Sequence, residues 1–469
     1  MNFSGGESGL TGRQRTEAQA GRAALASLNF VRPRPHFLSV AWNRVRRCRR
    51  IGTVVRAQTR RANFSFCGGT EVSATLRPVP RLLPTIAHLD ADAFFVSCEL
   101  ALKPELRGTK CAVGGRERGI ISSASYEARA CGVYTPMPTA RALKVCPDLI
   151  MLPHTSGLYR KVSGQMFDRC ETVTPLVQRN SIDEGYLDLA PCGFKSTEEI
   201  ERRVRRLQQR LWDELQVPVS FGLAGNKLVA QIASKLRKPR GFVVVPPGTE
   251  AEFLAPLPIG KLPGIGPKTE AALTGTYGIK LVRDLIAKPE RELKAIFGDA
   301  SADMLAMARG VDDRRVETEH EDAKSYSQQE TFGEDIGDFA AIERVAKRMV
   351  DELMASVRAD GKRVRTMTVK VRYPDFTQES HGRSLERATD LEAPFYAWVA
   401  PLLRAAWKKR RPLRLVSVRF SNVEEGGTQL EMFADADEKR RRLAGVLDRL
   451  NRGGGIVVRH GHQLSGPEG

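Results

Sequence analysis

Four acidic residues in two short apolar segments offer most of the chemistry in this sequence. Asp183 and Glu184 are adjacent within NSIDEGYLDL, whose remaining residues suit a buried strand. Asp90 and Asp92 follow the apolar start of TIAHLDADAFF. Simpler interpretations remain open at both places: solvated acids in a tight hairpin, and acids that cap a following helix.

Carboxylates crowded into a partly buried site repel one another, and burial also disfavours their charged form. A multivalent cation offsets both effects, and hard oxygen ligands suit Mg²⁺, which binds a few carboxylates together with substrate phosphates. A pair of such ions stabilises the attacking and leaving oxygens of an in-line phosphoryl displacement. We therefore expect Asp90, Asp183 and Glu184 to hold two Mg²⁺ ions for nucleotide chemistry.

The segment between the two acidic clusters contains side chains that could hold a triphosphate. GIISSASYEARACGV ends an apolar stretch with small hydroxyl residues, among them Ser123, and then places Tyr126 and Arg129 three residues apart. That spacing allows both side chains to share one helix face. An arginine fork and a phenol could bind phosphate oxygens there, although such pairs are also common on ordinary protein surfaces.

Two further segments predict helices that carry positive charge. At helical spacing NKLVAQIASKLRKPRG separates an apolar face from one polar stripe, made of Lys227, Gln231, Lys235 and Lys238. In LPIGKLPGIGPKTEAAL, Gly264 and Gly266 form a tight connection before a helix, and Pro267 suits the first turn of that helix, with Lys268 beside it. Backbone N–H groups of such a helix-hairpin-helix can bind a DNA phosphate without reading sequence. A simple turn between packed helices is the alternative.

The segment VRTMTVKVRYPDF alternates apolar and polar residues with a period of two, which predicts a strand with one buried face. Its polar face includes Lys370 and Arg372, which could lie along a DNA backbone, and a merely solvated face is the alternative. LRLVSVRF is predicted to be another strand of the same sheet.

Composition limits the class of protein. The chain has 469 residues, 41% hydrophobic content and a net charge of +19, which indicates about two to four globular domains and a polyanionic partner. No apolar run is long enough to cross a bilayer, so we expect no membrane partner. The eight cysteines form no C-x-x-C pair, which predicts free thiols and a cytoplasmic location.

The first 84 residues differ in composition from the rest. They hold fifteen Arg, no Lys and three Glu, and their apolar residues follow no sustained period. We expect a disordered basic leader; a nucleic-acid-binding arm and a transit-like segment remain open.

Several motifs together resemble the Y-family DNA polymerases, most of all the DinB-type branch. HLDADAFFVSCE, GIISSASYEARACGVYTPMPTARALKVCP, NSIDEGYLDL and NKLVAQIASKLRKPRG occur in that family's order and spacing. The resemblance covers roughly residues 85–423. It implies an α+β multidomain fold, a right-hand polymerase with a ferredoxin-like palm, small fingers, a helix-hairpin-helix thumb and an α/β little finger. The implied activity is template-directed addition of deoxynucleotides to a primer end, past damaged bases and with low fidelity.

The resemblance also divides the chain. The implied segments are a leader (1–84), palm (85–92 and 156–247), fingers (93–155), thumb (248–315), little finger (325–425) and a tail (426–469).

The roles that the resemblance implies follow the matching motifs. The carboxylates of Asp90, Asp183 and Glu184 match the metal ligands, whereas Asp92 is doubtful as a direct ligand. Phe95 matches the steric gate, a ring that excludes ribonucleotides. Phe94, the first aromatic of the pair, is expected to pack in the core and not to take part in function. The implied nucleotide contacts are Phe95, Ser123, Tyr126, Arg129 and Lys227, and the implied DNA contacts are Gly264, Gly266, Lys268, Lys370 and Arg372.

One position departs from the family. Its members often carry a lysine where this chain has Gln231. We expect Gln231 to weaken nucleotide binding without abolishing it, and a neighbouring lysine to supply the missing charge.

The segment GGTQLEMFADAD places apolar side chains in an acidic linker, where lone apolar groups bury nothing. It resembles the peptide with which bacterial polymerases dock on the sliding clamp, through Gln429, Leu430, Met432 and Phe433. A tail that folds back on the body is the alternative. The expected partners are therefore primer-template DNA, dNTP and the sliding clamp, bound by a monomer.

Two other functions remain open. A catalytically impaired relative could bridge DNA and clamp, although a scaffold has no use for a repulsive acid cluster. A nucleotidyl cyclase would share the paired acids but would not need the hairpin, the little finger or the clamp peptide.

Overall fold

The computed structural model describes residues 83–116, 118–319, 322–426 and 436–452, together with 458 and 461. The leader up to residue 82 lies outside this part, as do the predicted clamp-binding residues Gln429, Leu430, Met432 and Phe433. One compact unit contains Ala255–Ser301, and the other contains the described residues before and after it. No helix in these described ranges is both long and apolar enough to span a bilayer.

The chain alternates short strands and helices. The strands are β1 (Ile86–Ala91), β2 (Cys111–Gly114), β3 (Ile121–Ala124), β4 (Ile150–Leu152), β5 (Val177–Arg179), β6 (Glu184–Asp188), β7 (Val219–Ala224), β8 (Phe242–Val244), β9 (Ser325–Ile336), β10 (Lys362–Arg372), β11 (Gln378–Thr389) and β12 (Leu413–Glu425). The helices are α1 (Phe94–Leu102), α2 (Tyr126–Ala130), α3 (Thr139–Val145), α4 (Leu158–Glu171), α5 (Thr197–Leu215), α6 (Lys227–Ser234), α7 (Glu250–Leu254), α8 (Pro267–Thr276), α9 (Val282–Ile286), α10 (Glu290–Phe297), α11 (Ser301–Ala308), α12 (Phe339–Ala359), α13 (Ala393–Ala406) and α14 (Ala436–Arg452).

A five-stranded sheet in the order β5-β6-β1-β7-β8 forms the centre of the larger unit. Every residue of β1 is buried, and the strand is antiparallel to both β6 and β7. Alternate residues Ala87, Leu89 and Ala91 share a core with α4 and α5. On the opposite face, His88 Nδ1 lies 2.8 Å from Ser234 Oγ at the end of α6. Helices thus cover both faces of the strand that carries Asp90.

A smaller sheet, in the order β3-β2-β4, lies between β1 and α4 in the chain. β2 is antiparallel to β3 and parallel to β4. Its core is compact, with Ile121, Val133, Met137 and Leu149 among the buried residues. Together with α1, this sheet positions the short helix α2.

The unit Ala255–Ser301 contains the predicted hairpin. Its first helix is only a 3-10 turn, Ile259–Lys261, because prolines at 256, 258 and 263 interrupt the segment. Gly264 has φ +88, a left-handed conformation that a side chain would strain. Pro267 occupies the first turn of α8, as expected.

The four-stranded sheet β11-β10-β12-β9 packs against α12 and α13. Met367, Val369, Val371 and Tyr373 are fully buried, which confirms the alternation predicted for β10. The predicted strand LRLVSVRF is part of β12, which pairs with β10.

The helix α14 follows the undescribed residues 427–435 and is held against this sheet's helices by ion pairs. Both guanidinium edges of Arg358 are used: Nε and Nη2 contact Asp448 of α14 at 2.7 and 3.0 Å, and Nη1 contacts Glu392 at 2.7 Å. Arg441 of α14 contacts Asp390 at 3.1 Å. The two flanks of the predicted clamp peptide are therefore both attached to the same part of the protein.

Gly222 of β7 allows α6 to approach the sheet closely. A Cβ atom there would lie 2.1 Å from the Ala230 carbonyl oxygen and 2.6 Å from the Ser234 nitrogen. We expect Gly222→Ala to lower the free energy of unfolding by about 1 to 3 kcal/mol in urea titrations, because α6 must move away from β7.

Gly164 within α4 is the matched control, since a Cβ atom there would meet no atom within 4 Å. Gly164→Ala should raise the free energy of unfolding by up to about 1 kcal/mol through helix propensity. Equal effects of the two substitutions would contradict the close approach of α6 to β7.

Candidate active site

Strand pairing brings two of the predicted metal ligands together. In the antiparallel register of β1 and β6, Asp90 is the partner of Glu184, so the two side chains lie on the same face of the sheet. The N–H of Ala91 donates to the carbonyl oxygen of Asp183 at 2.9 Å. All three predicted carboxylates are therefore carried by neighbouring positions of one strand pair.

The turn before β6 controls the third carboxylate. The N–H groups of Asn180 and Ser181 both donate to the Glu184 carbonyl oxygen at 3.0 Å. The Ser181 hydroxyl donates to the carboxylate of Asp183 and accepts from the N–H groups of Asp183 and Glu184. In the described part of the chain, no three His, Cys, Asp or Glu side chains converge as a ready-made metal site. The expected ligands are adjacent, but Asp183 is turned toward Ser181.

Two lysines neutralise the paired carboxylates. Lys235 Nζ lies 3.0 Å from Glu184 Oε2 and 3.8 Å from Asp90 Oδ2. The ammonium group of Lys238 contacts Asp90 and lies 3.4 Å from Asp92 Oδ1. The two ammonium groups therefore lie beside the oxygens that a metal ion would bind.

Burial and these lysines shift the pKa values of the two carboxyls in different directions. Burial raises the pKa of Asp90 above its ordinary value, although the Lys238 ammonium opposes it. Burial also acts upward on Glu184, but the Lys235 ammonium and the Asn180 amide outweigh it, so the pKa of Glu184 is lowered. Glu184 is thus held ionised more firmly than Asp90.

Asp92 holds neighbouring elements together by accepting hydrogen bonds. Its fully buried carboxylate accepts from the Ser220 hydroxyl at 2.9 Å and from the Arg240 N–H at 2.7 Å. The Tyr126 hydroxyl donates to it at 3.4 Å. Asp92 therefore fixes the loop that carries Lys238 and links Tyr126 to the carboxylate site.

The side chains of Tyr126 and Arg129, which we predict to bind a triphosphate, lie next to each other on α2, as their spacing indicates. The Arg129 guanidinium stacks over the Tyr126 ring at 4.8 Å, and Arg129 Nε donates to the Ala124 carbonyl at 3.0 Å. Ser123 is buried, and its hydroxyl accepts from the Val96 N–H of α1 at 3.4 Å. Ser123 thus connects β3 to α1 in addition to any contact with a nucleotide.

The predicted steric gate, Phe95, is half-buried against Tyr159, with ring centroids 4.6 Å apart. The Tyr159 hydroxyl donates to buried Glu99 at 2.7 Å, and Glu99 also accepts from the N–H and hydroxyl of Thr155 at 2.9 Å. Phe94 is buried in the core, as expected. Our sequence analysis missed Tyr159 and Glu99; the only local signal was Glu99 four residues after Phe95.

The nucleotide-binding assignment of Lys227 does not agree with its surroundings. Lys227 is 3% exposed, and its ammonium group contacts Gln178 Oε1 at 2.7 Å and the Arg315 carbonyl at 3.1 Å. The predicted polar stripe is also wrong at its end, because α6 stops at Ser234 and Lys238 reaches Asp90 from the following loop. Lys235 and Lys238, and not Lys227, contact the carboxylates.

The predicted DNA contacts lie on exposed or half-exposed surfaces of their own units. Gly264, Gly266 and Lys268 are exposed at the start of α8. On β10, burial and the nearby Arg372 and Arg419 lower the pKa of Lys370, so its polar face carries a cluster of like charges.

Comparison with known proteins agrees with this architecture. Residues 89–235 match the impB/mucB/samB family, residues 247–279 the helix-hairpin-helix motif of the IMS family, and residues 323–432 the C-terminal domain of the impB/mucB/samB family. A DNA polymerase IV of Opitutus terrae is 77% identical over 385 residues, which cover 82% of this chain and 98% of that protein. A DNA polymerase IV of Desulfatibacillum aliphaticivorans is 39% identical over 380 residues, covering 78% and 93%.

Solved structures give the same result. A chimera of the Y-family DNA polymerases Dbh and Dpo4 aligns with a TM-score of 0.65 at 27% identity, covering 72% of this chain and 99% of the chimera. An insertion ternary complex of Dbh DNA polymerase aligns with a TM-score of 0.53 at 27% identity, covering 72% and 99%.

The chain belongs to the impB/mucB/samB family of Y-family DNA polymerases, and within it to the DinB type. It is a DNA-directed DNA polymerase of the low-fidelity, translesion kind, with the expected α+β multidomain fold. Membership of this family also implies a divalent metal cofactor.

His88 gives the site an acid sensitivity that can be measured. Burial lowers the pKa of His88 from 6.5 to about 3, with the charges of Glu184 and the nearby lysines as smaller influences. Below about pH 6.5 the unfolded chain binds a proton at His88 that the folded chain does not bind. The free energy of unfolding therefore decreases by about 1.4 kcal/mol for each unit by which the pH is lowered, down to about pH 3.

His88→Gln should remove this slope. Urea unfolding of the metal-free protein at pH 7, 6 and 5, in the presence of a chelator, measures it. Parallel pH dependences of the wild-type and variant proteins would show that His88 is not buried in its neutral form.

Proposed function

We propose that the chain adds dNTPs to the 3′ end of a primer-template, with two Mg²⁺ ions held by Asp90, Asp183 and Glu184. The observation that carries this proposal is the register of β1 and β6, which sets Asp90 opposite Glu184 beside Asp183. Like charges at opposed, partly buried positions are unfavourable unless cations lie beside them, and in the described part of this chain only mobile lysine side chains offset them.

The residues fit such a metal. All three side chains are carboxylates, the hard oxygen donors that Mg²⁺ prefers. The cations that face Asp90 and Glu184 belong to lysine side chains, which can withdraw when other positive charge arrives. Rotation of the Asp183 side chain away from Ser181 would complete the ligand set.

The chain's own residues would then orient the reactants. When bound, Mg²⁺ ions activate the attacking primer oxygen and neutralise the leaving pyrophosphate. Tyr126 and Arg129 bind the triphosphate, Arg129 as a fork of N–H donors and Tyr126 through its hydroxyl. Lys238, which also contacts Asp92, would stay beside the site when a metal ion occupies the Asp90 oxygens. The Phe95 ring, backed by Tyr159, occupies the space of a ribose 2′-hydroxyl.

DNA is held through its backbone. Lys370 and Arg372 lie on one polar face of β10, and a cluster of like charges is relieved when phosphates neutralise it. The backbone N–H groups after Gly264 and Gly266, with Lys268, bind a further phosphate without base contacts. These contacts position the duplex and carry no sequence information.

The protein also docks on a sliding clamp through Gln429, Leu430, Met432 and Phe433. These residues follow a glycine pair in the sequence and supply two large apolar anchors in an otherwise acidic segment. We place the enzyme in the cytoplasm as a monomer. Six cysteines in the described ranges are free thiols, and one chain supplies every proposed catalytic residue.

Primer extension on an undamaged primer-template with Mg²⁺ tests the catalytic proposal. The wild-type chain should add dNTPs, and Asp183→Ala should lower the rate by at least about a hundredfold. Asp303→Ala, which removes an exposed carboxylate on α11, is the matched control.

Phe95→Val should raise rNTP use relative to dNTP use at least about tenfold. A pure, folded, DNA-binding chain without extension activity would favour the DNA- and clamp-bridging alternative.

A polarisation titration tests the clamp proposal separately. A labelled peptide containing QLEMF should bind a bacterial clamp with saturation. Replacing Met432 and Phe433 by Ala should weaken binding at least about tenfold, because the apolar anchors are lost. A scrambled peptide of the same composition is the control, and equal binding of both peptides would refute the assignment.

A further inference from the structure

Lys235 is the more exposed of the two lysines at the carboxylates. Its side chain is 44% exposed, against 19% for Lys238. Lys238 has a further partner in Asp92, which is not a proposed metal ligand. The partners described for Lys235 are Glu184 and Asp90, and both are proposed ligands. The position of the Lys235 ammonium therefore depends on what else these oxygens bind.

Lys235 also lies one helical turn beyond Gln231. Its backbone keeps φ −92 and ψ −4, and its N–H donates to the Ile232 carbonyl at 3.1 Å, so it continues the course of α6. Residues four apart in a helix lie on the same face. Lys235 thus supplies, from the same side of the helix, the positive charge that Gln231 lacks.

We propose that Lys235 is an exchangeable counter-ion of the active site, an inference that rests on the proposed metal-binding function. Its ammonium neutralises Glu184 and Asp90 while no metal ion is bound. It is repelled once those oxygens hold divalent cations. The flexible four-carbon side chain then carries it to the triphosphate of the incoming nucleotide, the nearest uncompensated negative charge.

This role predicts effects of opposite sign on two ligands. Removing the charge of Lys235 frees the carboxylates and should tighten metal binding in the nucleotide-free enzyme. The same change withdraws a cation from the triphosphate and should weaken nucleotide binding. A lysine that merely stabilised the fold would not improve either one.

The test uses Lys235→Met in the full-length chain. Mn²⁺ binding to the DNA-free, nucleotide-free protein, followed by the electron paramagnetic resonance of free Mn²⁺, should tighten about three- to tenfold. In single-nucleotide addition with Mg²⁺, the KM for dNTP should rise about three- to tenfold while kcat changes less than about twofold. Arg237→Met is the charge-matched control, since Arg237 is exposed and has no hydrogen bond or ion pair among the described residues; both quantities should stay at their wild-type values.

A second variant moves the positive charge from position 235 to position 231, one helical turn earlier. Gln231→Lys introduced together with Lys235→Met should lower the KM for dNTP toward the wild-type value. Unchanged Mn²⁺ affinity in Lys235→Met would refute the exchange, even if the KM rose.

Asp183→Asn distinguishes failure of this inference from failure of the proposed function. Asp183 is a proposed ligand that the described contacts do not pair with a lysine. Weaker Mn²⁺ binding in Asp183→Asn, combined with no effect of Lys235→Met on either ligand, would leave the metal site intact and refute the counter-ion. Unchanged Mn²⁺ binding in Asp183→Asn would refute the metal site itself.

Discussion

Two carboxylates stand opposite each other on neighbouring antiparallel strands, and much of the surrounding structure serves to make that arrangement tolerable. Asp90 and Glu184 are direct partners in the register of β1 and β6. Like charges at such positions destabilise a sheet, and burial adds to the cost. Lysines at the end of α6 and in the loop after it offset the negative charges of these two carboxylates. The sheet can therefore fold before any metal ion binds.

The positions of these lysines depend on a few residues that lie far apart in the sequence. Gly222 lets α6 lie close to β7, and Asp92 fixes the loop after α6 through Ser220 and Arg240. Asp92 also contacts Tyr126, so one buried carboxylate connects the proposed metal ligands to the proposed phosphate-binding pair. Behind Phe95, the proposed steric gate, Glu99 holds Tyr159 in place through a hydrogen bond from the Tyr159 hydroxyl. The reactive side chains are thus positioned by buried acids that need no contact with substrate.

Local patterns predicted those parts of the molecule that local physics determines. The alternation of β10, the start of α8 at Pro267 and the packing of Phe94 all follow from period, backbone restriction and hydrophobicity. The proximity of Asp90, Asp183 and Glu184 could be predicted because two acidic pairs within apolar strand-like segments have few other uses. The family resemblance supplied the domain plan, which no periodicity gives.

Long-range partners account for what sequence reasoning could not predict. Lys227 has the right spacing for a nucleotide contact, but Gln178 and Arg315, distant in sequence, bind its ammonium. The end of α6 at Ser234 also decides which lysine reaches which acid. The first helix of the hairpin is a local exception, because the prolines at 256, 258 and 263 restrict it to a 3-10 turn. Which distant side chain accepts a hydrogen bond is determined only by the folded chain.

The attachment of α14 has a consequence for the geometry of replication. Residues 427–435 join Gly426, whose N–H donates to Gly361, to a helix that Arg358 and Arg441 hold on the same sheet and helices. A clamp that engages this segment engages a closed loop and not a free end. Fully stretched, the ten steps from Gly426 to Ala436 reach about 35 Å, and a loop fixed at both ends reaches only about half of that. Under the proposed clamp docking, the connection between polymerase and clamp would therefore be short, and small changes in its length would change how far along the duplex the enzyme can work.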